Sequence, residues 1–241
     1  MKLLLTAFVL CILGAFVQAS QHRDDLGVFL GPTVAIAEAG LRSSADLDRS
    51  QGVHANGVVV GAYDFGGSCL VQVLTTGRVV RSNPHFTVTF PVYDEAYNLI
   101  DSASHPASLS SVSSNRLLAM LLVAVETCEA VTVLELRIPA GTAHTLTQGF
   151  VVATGDGLAT QNDVHVIQLA LQTRRGAHKR LTYGFVLTSA PQWLGAPVYV
   201  RNATTSALEL IGILYGVAKR TPEIVVLVDT DELQEFLKDV R

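Results

Sequence analysis

The feature of this chain that most constrains its fold is a succession of ten short apolar runs after residue 50. Turn-forming residues stand between the runs, as at Gly66-Gly67 and Asn83-Pro84. Many short strands at this spacing are typical of an all-β barrel or sandwich. The runs predict strands at Val58–Tyr63, Cys69–Leu74, Phe86–Val92, Val131–Ile138, Phe150–Ala153, Val164–Leu171, Tyr183–Leu187, Val198–Arg201, Leu208–Tyr215 and Ile224–Val228.

Two other segments depart from this pattern. Ser102–Ser114 contains seven serines and no strong periodicity, which predicts an exposed loop. Asp229–Val240 has acidic residues in its first turn and apolar residues at i, i+3, i+4 and i+7, which predicts a C-terminal amphipathic helix.

The first 19 residues have the features of a secretory signal peptide. Lys2 precedes the apolar run Leu3–Val17, and small residues allow cleavage after Ala19. The run is shorter than the roughly 20 apolar residues that a membrane span needs. We therefore expect a secreted, extracellular protein with no membrane segment: a signal peptide at 1–19, an N-terminal segment at 20–50 and one domain at 51–241.

Charge and cysteine content restrict the partners and the chemistry. The net charge of −4 disfavours nucleic acid or an anionic membrane as a partner. After cleavage only Cys69 and Cys128 remain; they could bridge or stay as thiols, and their apolar surroundings favour buried, unpaired thiols. None of the seven histidines lies at ligand spacing, so we expect neither a metal nor another cofactor.

Two motifs stand near the end of the chain, Gly195-Ala196-Pro197 and the strand Leu210–Gly216. They resemble the nucleophile loop and the strand that follows it in trypsin-like serine proteases, and further motifs follow that family's order from about residue 55 to the end. The resemblance implies two six-stranded antiparallel β-barrels, a chymotrypsin-like all-β fold, with a C-terminal α-helix. It also implies that Ser114–Val125 is a buried strand. The other similar motifs are Phe65–Ser68, Asn115–Leu121, Ile138-Pro139, Val152–Gly157 and Pro222–Val225.

The sequence departs from this family where the family's catalytic residues lie. Leu194 stands at the nucleophile position, and a leucine has no hydroxyl to activate. Arg116 stands at the aspartate position, or Asn115 if the register slips by one. The histidine motif has two alternatives: His85 after an insertion, or Val73–Arg78, in which the histidine is lost.

Two further parts of the family's activation machinery are missing from the sequence. Trp193 replaces the carboxylate that precedes the nucleophile, and no Arg-Ile-Val-Gly-Gly activation motif is present. We therefore expect a non-catalytic homologue, a pseudoprotease, with no catalytic residues. It would act as a binding or regulatory module for an extracellular protein, such as an active protease or its substrate.

Two alternatives to this function remain open. One is an active hydrolase with a displaced site built around His85, and the other is a β-sandwich that binds carbohydrate or lipid. Asn202-Ala203-Thr204 is an N-glycosylation sequon placed between two predicted strands. It predicts a glycoprotein if the side chain is exposed.

Overall fold

The computed structural model describes twelve stretches of the chain. They are residues 30–38, 54–80, 85–134, 136–138, 147–152, 164–169, 181–185, 194–202, 205, 208–218, 221–228 and 230–239. The predicted signal peptide at 1–19, most of the predicted segment at 20–50, and Trp193 lie outside the described residues. Within the described stretches, no helix has the length and apolar character needed to span a membrane.

The first half of the described chain is a closed six-stranded antiparallel barrel. Its strand order is β1-β2-β3-β6-β5-β4. The 3₁₀ helix Cys128–Ala130 follows the last strand. The strands are β1 (Thr33–Glu38), β2 (His54–Phe65), β3 (Ser68–Thr76), β4 (His85–Tyr93), β5 (Leu99–Val112) and β6 (Leu118–Val125).

A second closed barrel with the same relative strand order follows. Its order is β10-β11-β12-β9-β8-β7, and the chain ends its described part in helix α1 (Thr230–Asp239). The predicted all-β fold of two six-stranded barrels with a C-terminal helix is confirmed, and the β-sandwich alternative is wrong. The strands are β7 (Thr147–Val152), β8 (Val164–Leu169), β9 (Leu181–Phe185), β10 (Pro197–Arg201), β11 (Leu208–Ala218) and β12 (Thr221–Val228).

Alternation of apolar and polar residues builds the first barrel. In β4, Phe86, Val88 and Phe90 are buried inside, while His85 is exposed and Thr87 only half-buried. Successive strand side chains point to opposite faces, so this spacing aims the apolar set at the barrel interior. Ser114–Val125 contributes β6, the predicted buried strand, after a turn.

A separate apolar cluster joins both barrels and α1. Tyr199 of β10 is its largest fully buried side chain. Each large side chain buried in this way contributes about 1.5–3 kcal/mol, so the cluster fixes how the barrels meet. Burial also raises the pKa of the Tyr199 phenol far above its ordinary value, because the phenolate would lose its hydration. The remaining buried members are Leu30, Val58, Leu74, Leu118, Met120, Leu134, Val152, Leu210, Ile213, Val228, Leu233, Phe236 and Leu237.

The expectation of an exposed loop at Ser102–Ser114 is wrong, because most of this segment belongs to β5. β5 pairs with β4 from His85↔Ser108 onward and with β6 on its other side. Most of its side chains are exposed, so the segment lacks the apolar alternation by which strands are predicted. Backbone pairing with two apolar neighbours holds it in the sheet instead.

Two boundaries differ from the sequence expectation. The barrel domain does not begin at residue 51, because β1 at Thr33–Glu38 pairs with both β2 and β4 and closes the first barrel. The strand predicted at Val131–Ile138 is also wrong: residues 131–134 and 136–138 are described without strand structure. The Leu134 N–H instead donates to the Val59 carbonyl at 2.9 Å, a contact that ties this connection to β2.

The expectation of unpaired thiols at Cys69 and Cys128 is wrong. The two residues form a disulfide, with their Cα atoms 5.0 Å apart. The bridge ties β3 to the 3₁₀ helix that leaves the first barrel. Sequence alone could not give this proximity, because the two cysteines are 59 residues apart.

Candidate functional site

The turn at Leu194 lies where the barrels meet, and backbone bonds tie it to both. On the first barrel, the Asn56 N–H donates to the Leu194 carbonyl at 2.7 Å. On the second, the Gly195 N–H donates to the Leu214 carbonyl at 2.8 Å, and the Leu214 N–H donates to the Ala196 carbonyl at 2.9 Å. The half-buried Leu194 side chain packs against the core of the first barrel.

Gly195 is the residue that allows this turn to approach the first barrel. Its φ of +79° lies in the left-handed region, which disfavours any residue with a Cβ. A Cβ built there would overlap the Asn56 carbonyl oxygen and lie 2.5 Å from Thr75 Oγ1. Thr75 Oγ1 itself donates to the same Asn56 carbonyl at 2.7 Å. The glycine that the resemblance identified thus has a defined structural role.

Arg78 crosses from the first barrel to the second. β3 ends at Thr76, and Arg78 lies in the turn after it. Arg78 Nη1 donates to the Tyr215 carbonyl at 3.2 Å, and its guanidinium carbon lies 5.2 Å from the centroid of the Tyr215 ring. This distance is within cation–π range. A Cβ at Gly216 would overlap Arg78 Nη1, so the glycine makes room for the guanidinium.

Arg116 occupies a tight turn next to Arg78. Its φ of +58° is left-handed, and its N–H donates to the Ser113 carbonyl at 2.8 Å. Ser113 Oγ donates to Asn115 Oδ1 at 2.8 Å and accepts the Leu118 N–H at 3.0 Å, which fixes the turn. The Arg116 side chain is therefore exposed on a turn whose shape is set by its neighbours.

The turns that carry Arg78 and Arg116 are in direct contact. The Gly77 N–H donates to the Leu117 carbonyl at 2.9 Å. A Cβ on Gly77 would overlap the Arg116 carbonyl, so glycine is needed where the two backbones meet. Arg78 and Arg116 therefore leave the backbone from neighbouring points.

The structure places the two histidine alternatives at different points of the first barrel. Val73–Thr76 pairs in register with β6, as Thr75↔Ala119 and Thr76↔Leu118, and Gly77 and Arg78 follow in the turn. His85 instead opens β4, is exposed, and lies opposite Ser108. β4 pairs with β1 and β5, not with β3 or β6. The sequence does not predict the contact between Arg78 and Tyr215, although it places Leu210–Gly216 in a strand, as the structure does.

The sequon residue Asn202 is half-buried rather than fully exposed. Its Nδ2 donates to Glu209 Oε1 at 2.8 Å, and its Oδ1 accepts the Thr205 N–H at 3.0 Å. Glycan attachment takes place at Nδ2, so it would compete with the bond to Glu209. The sequence prediction of glycosylation stays a prediction.

No group of three or more histidine, cysteine, aspartate or glutamate side chains suited to a metal occurs in the described part of the chain. A solvent-open hollow of about 370 Å³ lies beside the disulfide, away from Leu194. Its carboxylates, Asp64, Glu126 and Glu129, stand on an open surface. The contacts of Leu194 and Arg78 at the barrel junction are therefore a more specific candidate site than this hollow.

Comparison with known proteins shows the fold. No protein-family model matches the sequence, and no curated protein sequence matches it. Solved structures do match. A mutant of Rv3671c from M. tuberculosis H37Rv in its inactive form has a TM-score of 0.58 at 16% identity, over 90% of each chain.

Two further structures give the same result. The MamO protease domain from Magnetospirillum magneticum has a TM-score of 0.55 at 17% identity, over 86% of this chain and 96% of its own. Human heparin binding protein has a TM-score of 0.57 at 13% identity, over 88% of this chain and 92% of its own. With the two barrels described above, these likenesses give the chain a chymotrypsin-like fold.

Proposed function

We propose that this chymotrypsin-like fold is a non-catalytic protein that works by binding another protein. The observation that carries the proposal is the turn at Leu194. The turn is held against both barrels by backbone bonds to Asn56 and Leu214. The resemblance implies the nucleophile at this turn, and the leucine that stands there has no hydroxyl or thiol with which to form an acyl intermediate.

The other two triad positions support the same proposal. In the alternative in which Val73–Arg78 takes the place of the histidine motif, the histidine is lost: Gly77 has no side chain, and the Arg78 guanidinium is a hydrogen-bond donor with no acceptor atom. Arg116 is a donor only, and it could not accept a hydrogen bond from an imidazole. Arg78 also donates a hydrogen bond to the Tyr215 carbonyl, which lies in the strand that the resemblance places after the nucleophile loop.

The structural neighbours are compatible with either catalysis or binding on this fold. They include a protease in active and inactive forms and a human protein named for heparin binding. For this chain, the net charge of −4 argues against a polyanion or an anionic membrane as the general partner. A protein partner remains the better proposal.

We also propose that the protein is secreted and that its partner is extracellular, either an active protease or the substrate of one. Lys2 and the apolar run that ends before Ala19 support this location. The disulfide between Cys69 and Cys128 supports it too, because such bridges persist in oxidising compartments. N-terminal sequencing of protein recovered from culture medium should begin at Ser20.

Labelling with a fluorophosphonate probe tests the absence of catalysis. The folded protein should remain unlabelled under conditions in which an active serine protease is labelled to completion. Peptide mapping would locate any adduct. A serine that reacts in the folded protein, but not after heat denaturation, would refute the proposal and identify a displaced nucleophile.

A further inference from the structure

The two arginines near the barrel junction have side-chain N–H donors that no described residue uses. Arg78 and Arg116 are both exposed, and their turns adjoin through Gly77. Within the described residues, neither guanidinium has a carboxylate within ion-pair distance. Arg78 donates one side-chain hydrogen bond there, from Nη1 to Tyr215, although a guanidinium carries five N–H donors.

The Arg78 guanidinium and the Arg116 backbone are held in place before any ligand arrives. The Tyr215 carbonyl and ring hold the Arg78 guanidinium at the barrel junction. Ser113, Asn115 and Leu118 set the shape of the Arg116 turn, and its left-handed backbone is a conformation that an arginine adopts at a cost. Groups that are already ordered lose less conformational entropy when they bind.

Charge decides what such a site would hold. The chain as a whole is acidic, so two cations on adjoining turns, with no ion pair to a residue that the structure describes, are a local exception. A guanidinium matches a carboxylate in geometry as well as charge, because two parallel N–H donors meet two oxygens. We propose that Arg78 and Arg116 form a recognition site for the carboxylate side chains of an acidic peptide segment on the partner protein. This inference rests on the proposed non-catalytic binding function.

Fluorescence polarisation with two labelled, capped decapeptides tests the site. One alternates Thr with Glu, and the other alternates Thr with Gln, so that they differ in charge but hardly in shape. The Glu peptide should bind at least about tenfold more tightly, which corresponds to one charge-assisted hydrogen-bonded pair. Its affinity should fall as salt is raised, because the contacts are solvent-exposed.

Protein variants locate the binding. Arg78→Gln and Arg116→Gln should each weaken Glu-peptide binding by about tenfold. Arg78→Lys should also weaken it, because an ammonium lacks the planar fork. The matched control is Lys238→Gln, which removes the same charge from the exposed end of α1 and should change the affinity by less than about twofold. Circular dichroism would verify that each variant is folded.

Several outcomes would overturn the site. They are equal binding of the Glu and Gln peptides, no binding by the wild type, or a loss in Lys238→Gln as large as in the arginine variants. A titration of wild-type protein with the Glu peptide provides an independent readout: the side-chain Nε–H signals of Arg78 and Arg116 should shift in an NMR spectrum, and unmoved signals would refute the contact. Fluorophosphonate labelling of the same preparation separates the two proposals, because an unlabelled protein without peptide preference refutes only the arginine site.

Discussion

Replacement of Gly195 by alanine is the most direct test of the turn that presents Leu194. The matched control is Gly66→Ala, in the hairpin between β2 and β3. Both glycines have left-handed backbones, with φ of +79° at Gly195 and +61° at Gly66. A Cβ at Gly66 would have no atom within 4 Å, whereas at Gly195 it would overlap the Asn56 carbonyl. The pair therefore separates the cost of backbone conformation from the cost of close approach.

The expected magnitudes follow from these contacts. Forcing alanine into a left-handed conformation costs about 1 kcal/mol at either position. At Gly195 the turn must also move away from β2, which weakens the bonds from Asn56 to Leu194 and from Gly195 to Leu214. Each is worth about 1 kcal/mol. Gly195→Ala should therefore lower the free energy of unfolding by about 3 kcal/mol, and Gly66→Ala by about 1 kcal/mol.

Urea unfolding followed by circular dichroism measures both losses. In thermal unfolding followed by the same signal, the melting temperature should fall by about 6–12 °C for Gly195→Ala and by about 2–4 °C for Gly66→Ala. Equal losses in the two variants would show that the turn tolerates a Cβ. The close contact between the Leu194 turn and Asn56 would then be refuted, and with it the argument that the fold itself positions Leu194.

Three further predictions concern the disulfide, a buried phenol and the nucleophile position. Reducing the Cys69–Cys128 bridge, which spans 59 residues, should lower the unfolding free energy by about 4 kcal/mol in denaturant titrations, because the unfolded chain regains loop entropy. Burial raises the folded-state pKa of Tyr199 above its unfolded value, so below about pH 10 ionisation of this phenol should not change the free energy of unfolding of the wild type. Above that pH this free energy should fall by up to about 1.4 kcal/mol per pH unit more steeply than in Tyr199→Phe, measured by urea unfolding. Leu194→Ser should stay unlabelled by a fluorophosphonate, because the segment Val73–Arg78 contains no histidine that could act as the base.

Each of these predictions has a contradicting result. Alkylation of Cys69 or Cys128 in protein unfolded without reductant would show that no bridge exists. Identical alkaline slopes for wild type and Tyr199→Phe would mean that the phenol reaches water in the folded state. Labelling of Leu194→Ser at the new serine would show that another group near the turn at residue 194 acts as a base.

Patterns with a strong apolar period were predictable from the sequence. Phe86, Val88 and Phe90 alternate into the core, and Leu233, Phe236 and Leu237 form the buried face of the helix, so β4 and α1 follow from periodicity. The strand β5 could not be predicted in this way, because its exposed serines give no apolar alternation. Its pairing with β4 and β6 holds it in the sheet. Long-range pairing decided its structure, and a local pattern could not reveal this.

The site was predictable to a similar extent. Gly195 and the strand that contains Tyr215 were recognisable as sequence motifs, and so were the replacements at Leu194 and Arg116. The sequence could not decide between His85 and the segment Val73–Arg78 for the histidine motif, because local patterns do not give the pairing of β3 with β6. The bridge from Arg78 to Tyr215 spans 137 residues and two barrels, and no local pattern encodes such a contact.

The turns at Leu194 and at Arg116 keep their shape without the side chains of these two residues. Backbone bonds from Asn56 and to Leu214 fix the turn at Leu194. Ser113 and Asn115 fix the turn at Arg116, without using the Arg116 side chain. Because neighbouring residues and the backbone supply these bonds, the side chains at Leu194 and Arg116, which the resemblance assigns to triad positions, can change without removing the bonds that shape the turns. These two points can therefore display groups suited to binding, with the spacing that the first barrel and the barrel junction impose.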